Sequence, residues 1–586
     1  MREYVVPPLH ELPATGNASD FLVDSARSAP TRAILSRRAG GEWQDVTAQQ
    51  FLDEVRGAAK GLIASGIGPG DRVGLMAKTR YEWTLLDFAI WFAGGVVVPI
   101  YETSSAEQVQ WILSDAGAAG CIVETAEHAA LVAEVRESVP DLRHLWEIEG
   151  GAVDSLRAAG SGVADDDLED RRTALGPDDV ATIIYTSGTM GRPKGCELTH
   201  GNFVFQIRNI ADLLPELFRA EGAATLLFLP LAHVFARAIQ LICVYSGVRL
   251  AHTADVKNVL DDLGTFQPTF ILAVPRVFEK VYNRSQQKAE AGGKGKIFHA
   301  AAETAVAYSE ALDKGRPGVG LRLRHALFDR LVYGKLRAAL GGRTRYAVSG
   351  GAPLGARLGH FFRGVGLTVI EGYGLTETTA PATANRPRAV KMGTVGQPVP
   401  GAAVRVADDG EVLVKGPVVF RRYFRNEDAT REAFTEDGWL RTGDLGELDD
   451  EGFLRIVGRK KELLVTAAGK NVAPSVLEDR LRSHPLVSQC IVVGDARPYI
   501  AALVTIDEEA LPGWLEARGK ERRPLADLVE DADLVGEVQS AVDSANKAVS
   551  RAEAIKRFRI LTVDFTEAGG QLTPKQSLKR AVVLKE

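Results

Sequence analysis

Residues Tyr185 to Gly195 read YTSGTMGRPKG, a stretch in which Thr186, Ser187, Gly188 and Thr189 crowd hydroxyls and small residues together and Lys194 follows Pro193. Small residues let backbone N–H groups come close to an anion, and hydroxyls and an ammonium add further donors, so the composition is that of a phosphate cradle. The apolar run Val180 to Tyr185 just ahead reads as a buried strand. A mobile linker would need neither that strand nor a lysine at its end. A Walker A loop is excluded, because no GxxxxGK[ST] spacing can be laid over these residues.

Other stretches offer complementary chemistry. Glu371 to Glu377, EGYGLTE, supplies an aromatic face at Tyr373, a hydroxyl at Thr376 and a carboxylate at Glu377. Those parts can stack a base, hold a phosphate and carry a magnesium ion. Ser349 to Leu354, SGGAPL, has Gly350 and Gly351 where a tight turn would bring backbone close to a ligand. In WLRTGD and IVGR, Asp444 and Arg459 read by themselves as surface turn residues, although a carboxylate such as that of Asp444 can accept two vicinal hydroxyl bonds. His233 stands alone in the apolar LPLAHVFAR, where a satisfied core histidine is the stronger reading of the residue by itself.

In this order the motifs resemble those of the adenylate-forming superfamily, which includes acyl-CoA synthetases, luciferases and peptide-synthetase adenylation domains. The resemblance implies that Gly350, Gly351 and Tyr373 bound an adenine, that Thr376 contacts the α-phosphate, and that Glu377 ligates Mg²⁺. It further implies that Asp444 and Arg459 bind the ribose and that His233 lines the acyl pocket. Lys461 falls where relatives carry a hinge, and GKNVAP, with Gly469 and Lys470, resembles the loop lining the pantetheine channel of CoA ligases. Two positions depart from the pattern. Met190 stands where the phosphate loop usually has a second Thr, and in LTPKQSLKR the usual lysine position falls on Ser577. Lys579 is the preferred catalytic lysine, with Lys575 its rival.

The opening VPRVFEKVYNR at Val274 resembles long-chain fatty-acyl-CoA synthetases, which carry an extended insertion here. The implied activity is a long-chain fatty acid–CoA ligase that uses ATP, Mg²⁺ and coenzyme A. A ligase handing its acyl group to a carrier protein is the nearest alternative. A nucleotide-binding sensor without turnover is a reading of another class, kept open by Met190 and the shifted lysines.

These residues need a large scaffold. At 586 residues the chain exceeds one compact core, and strand-like runs at 73–76, 96–101, 121–123, 225–231, 270–274 and 344–348 alternate with helical patterns. The fold class expected is α/β: a large N-terminal domain of layered αβ sheets plus a small, mobile α+β C-terminal domain. The boundaries are 1–458, a hinge at 459–461, and 462–586. Thr47 to Ser65 predicts a packing helix with a capping box at Thr47 and Gln50. Residues 288–296 predict a surface loop inside a long helical segment from Val274 to Leu340. In the C-terminal part, Pro474 opens a helix running to Arg482, 489–494 and 500–506 predict strands, and 534–558 predicts an amphipathic helix.

A net charge of -6 gives no footing for nucleic acid. Four scattered cysteines without a CxxC pair indicate neither a disulfide framework nor a zinc site. The N-terminus lacks the apolar core of a signal peptide, and the longest apolar run, Phe88 to Tyr101, is too short and too broken by glycine and proline to span a bilayer. A cytoplasmic protein is expected, with peripheral membrane contact and oligomeric state left open.

Overall fold

The computed structural model of the protein describes residues 2–186, 192–255, 258–467, 470–566, 569–573 and 578–585. Three of the apolar runs become the strands Arg72–Met76, Val96–Ile100 and Ala118–Val123 of a seven-stranded sheet. They lie parallel, with Val180–Thr186 beside Val96–Ile100 and His144–Glu147 at the far edge. At the other edge the sheet turns antiparallel: Val180–Thr186 pairs with Lys194–Thr199, which pairs with Arg422–Tyr423. The segment between Thr186 and Lys194 therefore joins two directly paired strands.

Helix Tyr81–Phe92 is buried along almost its whole length. Its Asp87 meets Arg237 of helix Val234–Ser246 in an ion pair fully out of water, with Nε 3.0 Å and Nη2 2.5 Å from the carboxylate. Arg237 Nη1 also donates to Thr182 Oγ1 at 2.7 Å, and the rings of Trp83, Trp91 and Phe203 surround the guanidinium. Breaking a buried pair leaves an uncompensated charge and costs about 3–5 kcal/mol. The contact thus ties down the strand Val180–Thr186 ahead of the expected phosphate loop.

A second sheet runs Phe270–Ala273, Tyr346–Ser349, Thr368–Leu375, Ala380–Ala384 and Gln397–Pro398. Its first three strands are parallel, with Ser349 opposite Glu371, so SGGAPL and EGYGLTE emerge side by side at carboxyl ends. That is where open α/β sheets bind ligands. In a third, antiparallel sheet, Leu440–Leu448 and Leu454–Arg459 are neighbours, and Asp444 is opposite Arg459. From Leu464 onward a separate apolar core forms around the strands Val487–Val493, Ile500–Ile506 and Ile555–Ile560 and the helices Pro474–Arg482 and Ala532–Asn546. The expected division into a large layered α/β part and a smaller α+β part is present.

The capping box at Thr47 and Gln50 opens helix Ala48–Ala64 as expected. Three local expectations change. The helix expected over 534–558 ends at Asn546, and Ile555–Ile560 is instead a strand parallel to Ile500–Ile506. Asn546 makes the reversal: its Oδ1 accepts from Ile555 N at 2.8 Å and its Nδ2 donates to Ile555 O at 3.0 Å. The strand expected over 225–231 stops at Leu227, ahead of Pro230, which has no N–H to pair. The loop expected over 288–296 shrinks to a turn between helices Pro275–Ala291 and Gly295–Asp313, where Gly293 takes φ +69° and Lys294 N donates to Ala289 O at 2.7 Å.

Candidate active site

Thr186 and Lys194 face each other across the hairpin, at the base of the loop expected to hold phosphate. Ser187, Gly188, Thr189 and Met190 lie outside the described residues. The base is held rigidly. Tyr185 donates its hydroxyl to Asp115 at 2.6 Å, Trp111 Nε1 donates to Pro193 O at 2.9 Å, and a Cβ at Gly195 would come within 2.7 Å of Ile183. Lys194 Nζ sits 5.1 Å from the centroid of Tyr423, on the neighbouring strand.

Tyr423 then connects two motifs that are far apart in sequence. Its hydroxyl donates to Glu377 Oε1 at 2.8 Å, and Phe420 N donates to Glu377 O at 2.8 Å. Burial, then the Glu377 charge, push the Tyr423 phenol up, so it keeps its proton and donates. Glu377 lies in a 3₁₀ turn, Thr376–Thr378, and the backbone directly after it is strained: Thr379 and Ala380 take φ +52° and +80°. Such outliers persist only where the surroundings over-determine them. Gly374 is required by the same turn, because a Cβ there would fall 1.9 Å from Ala380 O. Thr376 is buried beside the carboxylate-bearing residue.

Asp444 and Arg459 form the next part. Arg459 Nε lies 2.9 Å from Asp444 Oδ1, and Tyr373 donates its hydroxyl to Oδ2 at 2.6 Å. Burial raises the Asp444 pKa, opposed by Arg459 and Tyr373, while the Tyr373 phenol is pushed far up by burial and by that carboxylate. Each carboxylate oxygen has two acceptor sites, so both remain able to accept one further hydroxyl.

The glycines of SGGAPL differ. A Cβ at Gly350 would meet Phe235 at 3.2 Å, whereas one at Gly351 would meet only Val274, at 4.0 Å, but Gly351 takes φ +84°. The turn is tied down by Glu371, whose Oε1 accepts from Leu354 N at 3.0 Å. Burial holds that carboxyl up at about 7. His233 is the N-cap of helix Val234–Ser246, its Nδ1 accepting from Phe235 N at 3.1 Å. It stands two residues from the ring that closes over Gly350. Sequence reasoning gave no role to Glu371 or Tyr423. For Tyr423 nothing in its neighbours signals the contact; for Glu371 the carboxylate inside an apolar strand was the available sign.

The two loops of the small part are placed differently. Ala473 and Ser475 meet the strand that carries Arg459, 3.4 Å and 3.6 Å from where a Gly458 Cβ would be. Lys470 closes the short loop before them, with its N–H on Thr466 Oγ1 at 3.2 Å and its ammonium 3.6 Å from Glu553; Gly469 lies outside the described residues. Lys461 is exposed in the turn Lys460–Glu462, beside Lys460, whose ammonium is 2.6 Å from Asp409 and 3.1 Å from Glu411. Lys579 caps helix Arg580–Val583, with its N–H on Gln571 O at 2.7 Å. Among the described residues no hydrogen bond or ion pair joins it to Glu377 or Asp444. Lys575 and Ser577 lie outside them.

The sequence pattern of one protein family, described as AMP-binding enzyme, matches residues 22–424, and that of its C-terminal domain matches 461–586. The chain belongs to the AMP-binding enzymes. This AMP-binding enzyme is 54% identical to the long-chain-fatty-acid–CoA ligase FadD15 of Mycobacterium tuberculosis over 587 residues, covering 100% of this chain and 98% of that protein. It is 31% identical to the peroxisomal long chain acyl-CoA synthetase 7 of Arabidopsis thaliana, covering 97% of this chain and 85% of that protein. Its fold matches that of the anthranilate CoA ligase AuaEII in complex with anthranoyl-AMP, with a TM-score of 0.74 at 20% identity over 98% of both chains.

Proposed function

We propose that this AMP-binding enzyme is a long-chain fatty acid–CoA ligase. In the first step a carboxylate oxygen bonds to the α-phosphorus of ATP and the bond to the β-phosphate breaks, giving acyl-AMP and pyrophosphate. In the second, the coenzyme A thiol loses its proton, its sulfur bonds to the acyl carbon, and AMP leaves. The observation that supports the reading is the continuous chain Lys194–Tyr423–Glu377 beside Tyr373–Asp444–Arg459, a cation and a carboxylate suited to phosphate and Mg²⁺ next to a carboxylate and a guanidinium suited to ribose. The full-length 54% identity to a long-chain ligase supports the substrate class.

A fatty carboxylate is ionised at neutral pH, so adenylation needs charge neutralisation and alignment more than a general base. Thr186, Ser187, Gly188, Thr189 and Lys194 cradle the phosphates, and Thr376 reaches the α-phosphate. Gly350, Gly351 and Tyr373 bound the adenine, and Asp444 with Arg459 takes the ribose hydroxyls. Among the described residues no cluster of three or more metal ligands exists. Mg²⁺ fits nonetheless, since it is bound by one or two carboxylates together with substrate phosphates, and Glu377 has one oxygen engaged by Tyr423 and, among the described residues, no hydrogen-bond donor on the other. When bound, the ion supplies charge neutralisation on the phosphates.

His233 shapes the acyl end by capping the helix behind Phe235. Lys461 is the hinge between parts 1–458 and 462–586, a reading supported by the second family match, which begins at residue 461. The segment with Gly469 and Lys470 lines the pantetheine path, supported by the approach of Ala473 and Ser475 to the Arg459 strand. Lys579 serves adenylation in a second arrangement of the small part, reached by rotation between steps. Pyrophosphate exchange into ATP, dependent on a fatty acid, tests the first step. Free acyl-CoA on adding coenzyme A tests the second, and acylation of a carrier protein alone would reassign the acceptor.

A further inference from the structure

Helix Val319–Phe328 and the π turn Asp329–Tyr333 that extends it have two apolar faces. The inner one holds the segment to the fold. Phe328 and Tyr333 are buried, His325 stacks on Tyr308 with ring centroids 3.9 Å apart, and His325 Nε2 is 2.6 Å from Gly364 O. The outer face carries Val319, Leu323, Leu327 and Leu331, which are 71%, 69%, 56% and 49% exposed. Positions four apart stack along one side of a helix, so these four make a single stripe. One exposed leucine is ordinary; a row along one helix marks a contact surface.

The charges around the stripe say what it contacts. Arg322 and Arg324 flank Leu323 on its two sides, and Arg330 stands near the far end, all three exposed. Residues 314–345 contain nine Lys and Arg and one acid, Asp329, in a chain whose net charge is -6. Asp329 is itself paired with Arg337 at 2.6 Å. Isologous pairing of two copies would set this basic surface against itself. A leucine stripe bordered by arginines is instead the composition of a helix that lies in the surface of an anionic bilayer. Among the described residues no helix is long and apolar enough to cross a membrane, so the contact is made by a surface.

We propose that the outer face of Val319–Leu331 docks the protein on an anionic lipid surface, with the leucines entering the interface and the arginines meeting lipid phosphates. The purpose of docking rests on the ligase reading, because a long-chain acid partitions into the same lipid. The geometry does not depend on it.

The test is co-sedimentation of the full chain with vesicles of phosphatidylcholine alone and of phosphatidylcholine mixed with phosphatidylglycerol, at about 0.1 M and about 0.5 M salt. The wild type should bind the mixed vesicles, and less so at the higher salt. Leu323→Gln with Leu327→Gln should lower the bound fraction constant roughly tenfold or more at both salts. Arg322→Gln with Arg324→Gln and Arg330→Gln should remove most of the preference for anionic vesicles. Glutamine is a good helix former at exposed sites, and unchanged circular dichroism and unchanged acyl-CoA formation from a short, water-soluble acid confirm folding. Equal binding by wild type and the leucine variant would overturn the proposal, as would failure of the wild type to bind mixed vesicles. A wild-type dimer that the leucine variant converts to monomer would assign the face to a second copy instead. Because the readout is binding, vesicle sedimentation without acyl-CoA formation would overturn the ligase reading alone. Turnover without sedimentation would overturn docking alone.

Discussion

Tyr423 holds Glu377 by a 2.8 Å hydrogen bond from its hydroxyl, and presents its ring to the Lys194 ammonium at 5.1 Å. One side chain thus sets the relative position of a carboxylate and a cation that lie 183 residues apart in the chain. Hydrogen bonds to charged groups are worth about 1.5–3 kcal/mol. Tyr423→Phe keeps the ring and loses only the hydroxyl, so kcat/KM for ATP in pyrophosphate exchange should fall about tenfold to a hundredfold, most visibly at limiting Mg²⁺. A change within twofold would show that Tyr423 does not orient Glu377.

Asp444 already has a partner on each oxygen, Arg459 on one and Tyr373 on the other. Asp444→Asn removes the charge and one acceptor while nearly preserving shape. KM for ATP should rise about tenfold to a hundredfold. Discrimination against 2′-deoxy-ATP and 3′-deoxy-ATP should shrink in the variant, since the ribose hydroxyls would no longer meet a carboxylate. Unchanged discrimination would place the ribose elsewhere.

Glu371 gives the pH dependence. Burial raises its carboxyl to about 7, partly relieved by the Leu354 N–H. Folding therefore favours the protonated form: its stabilisation is fully present below the ordinary carboxylate range and is lost as pH rises through about 7. Glu371→Gln keeps an acceptor for Leu354 and cannot ionise. Relative to wild type it should gain stability between about pH 5 and about pH 8, by on the order of 3 kcal/mol at most. Thermal unfolding across that range checks it, and a difference in Tm independent of pH would reject the assignment.

Lys579 is expected to act in adenylation only. Lys579→Ala should abolish acyl-AMP formation and leave conversion of supplied acyl-AMP to acyl-CoA within about a few-fold of wild type. Equal loss in both half-reactions would sink this role. Lys575→Ala, measured beside it, decides between the two lysines.

Buried Arg237 carries a stability prediction. Arg237→Met strands Asp87 without its partner and should cost about 3–5 kcal/mol, whereas replacing both residues by apolar ones should recover much of the loss. Denaturant midpoints of the single and double variants test this, and an additive loss in the double variant would contradict it.

The sequence by itself determined what is local or is carried by residue type. Glycines and hydroxyls ahead of Lys194, the YGLTE turn, the Thr47 capping box and the helix opened by Pro474 all follow from side-chain chemistry within a few residues. The layered α/β class followed because alternating apolar periods depend on neighbours along the chain. What lay between distant segments was not legible. The Asn546 side chain, not periodicity, ended a helix and freed Ile555–Ile560 to pair as a strand. Tyr423 reaches Glu377, and Glu371 anchors the SGGAPL turn, only because sheet register places them there. The leucine stripe of Val319–Leu331 lies inside the segment 274–340 expected to be helical, and only packing decides that Phe328 and Tyr333 face inward and the leucines outward. A helical period states that faces exist; which one is buried depends on what the rest of the chain sets against it.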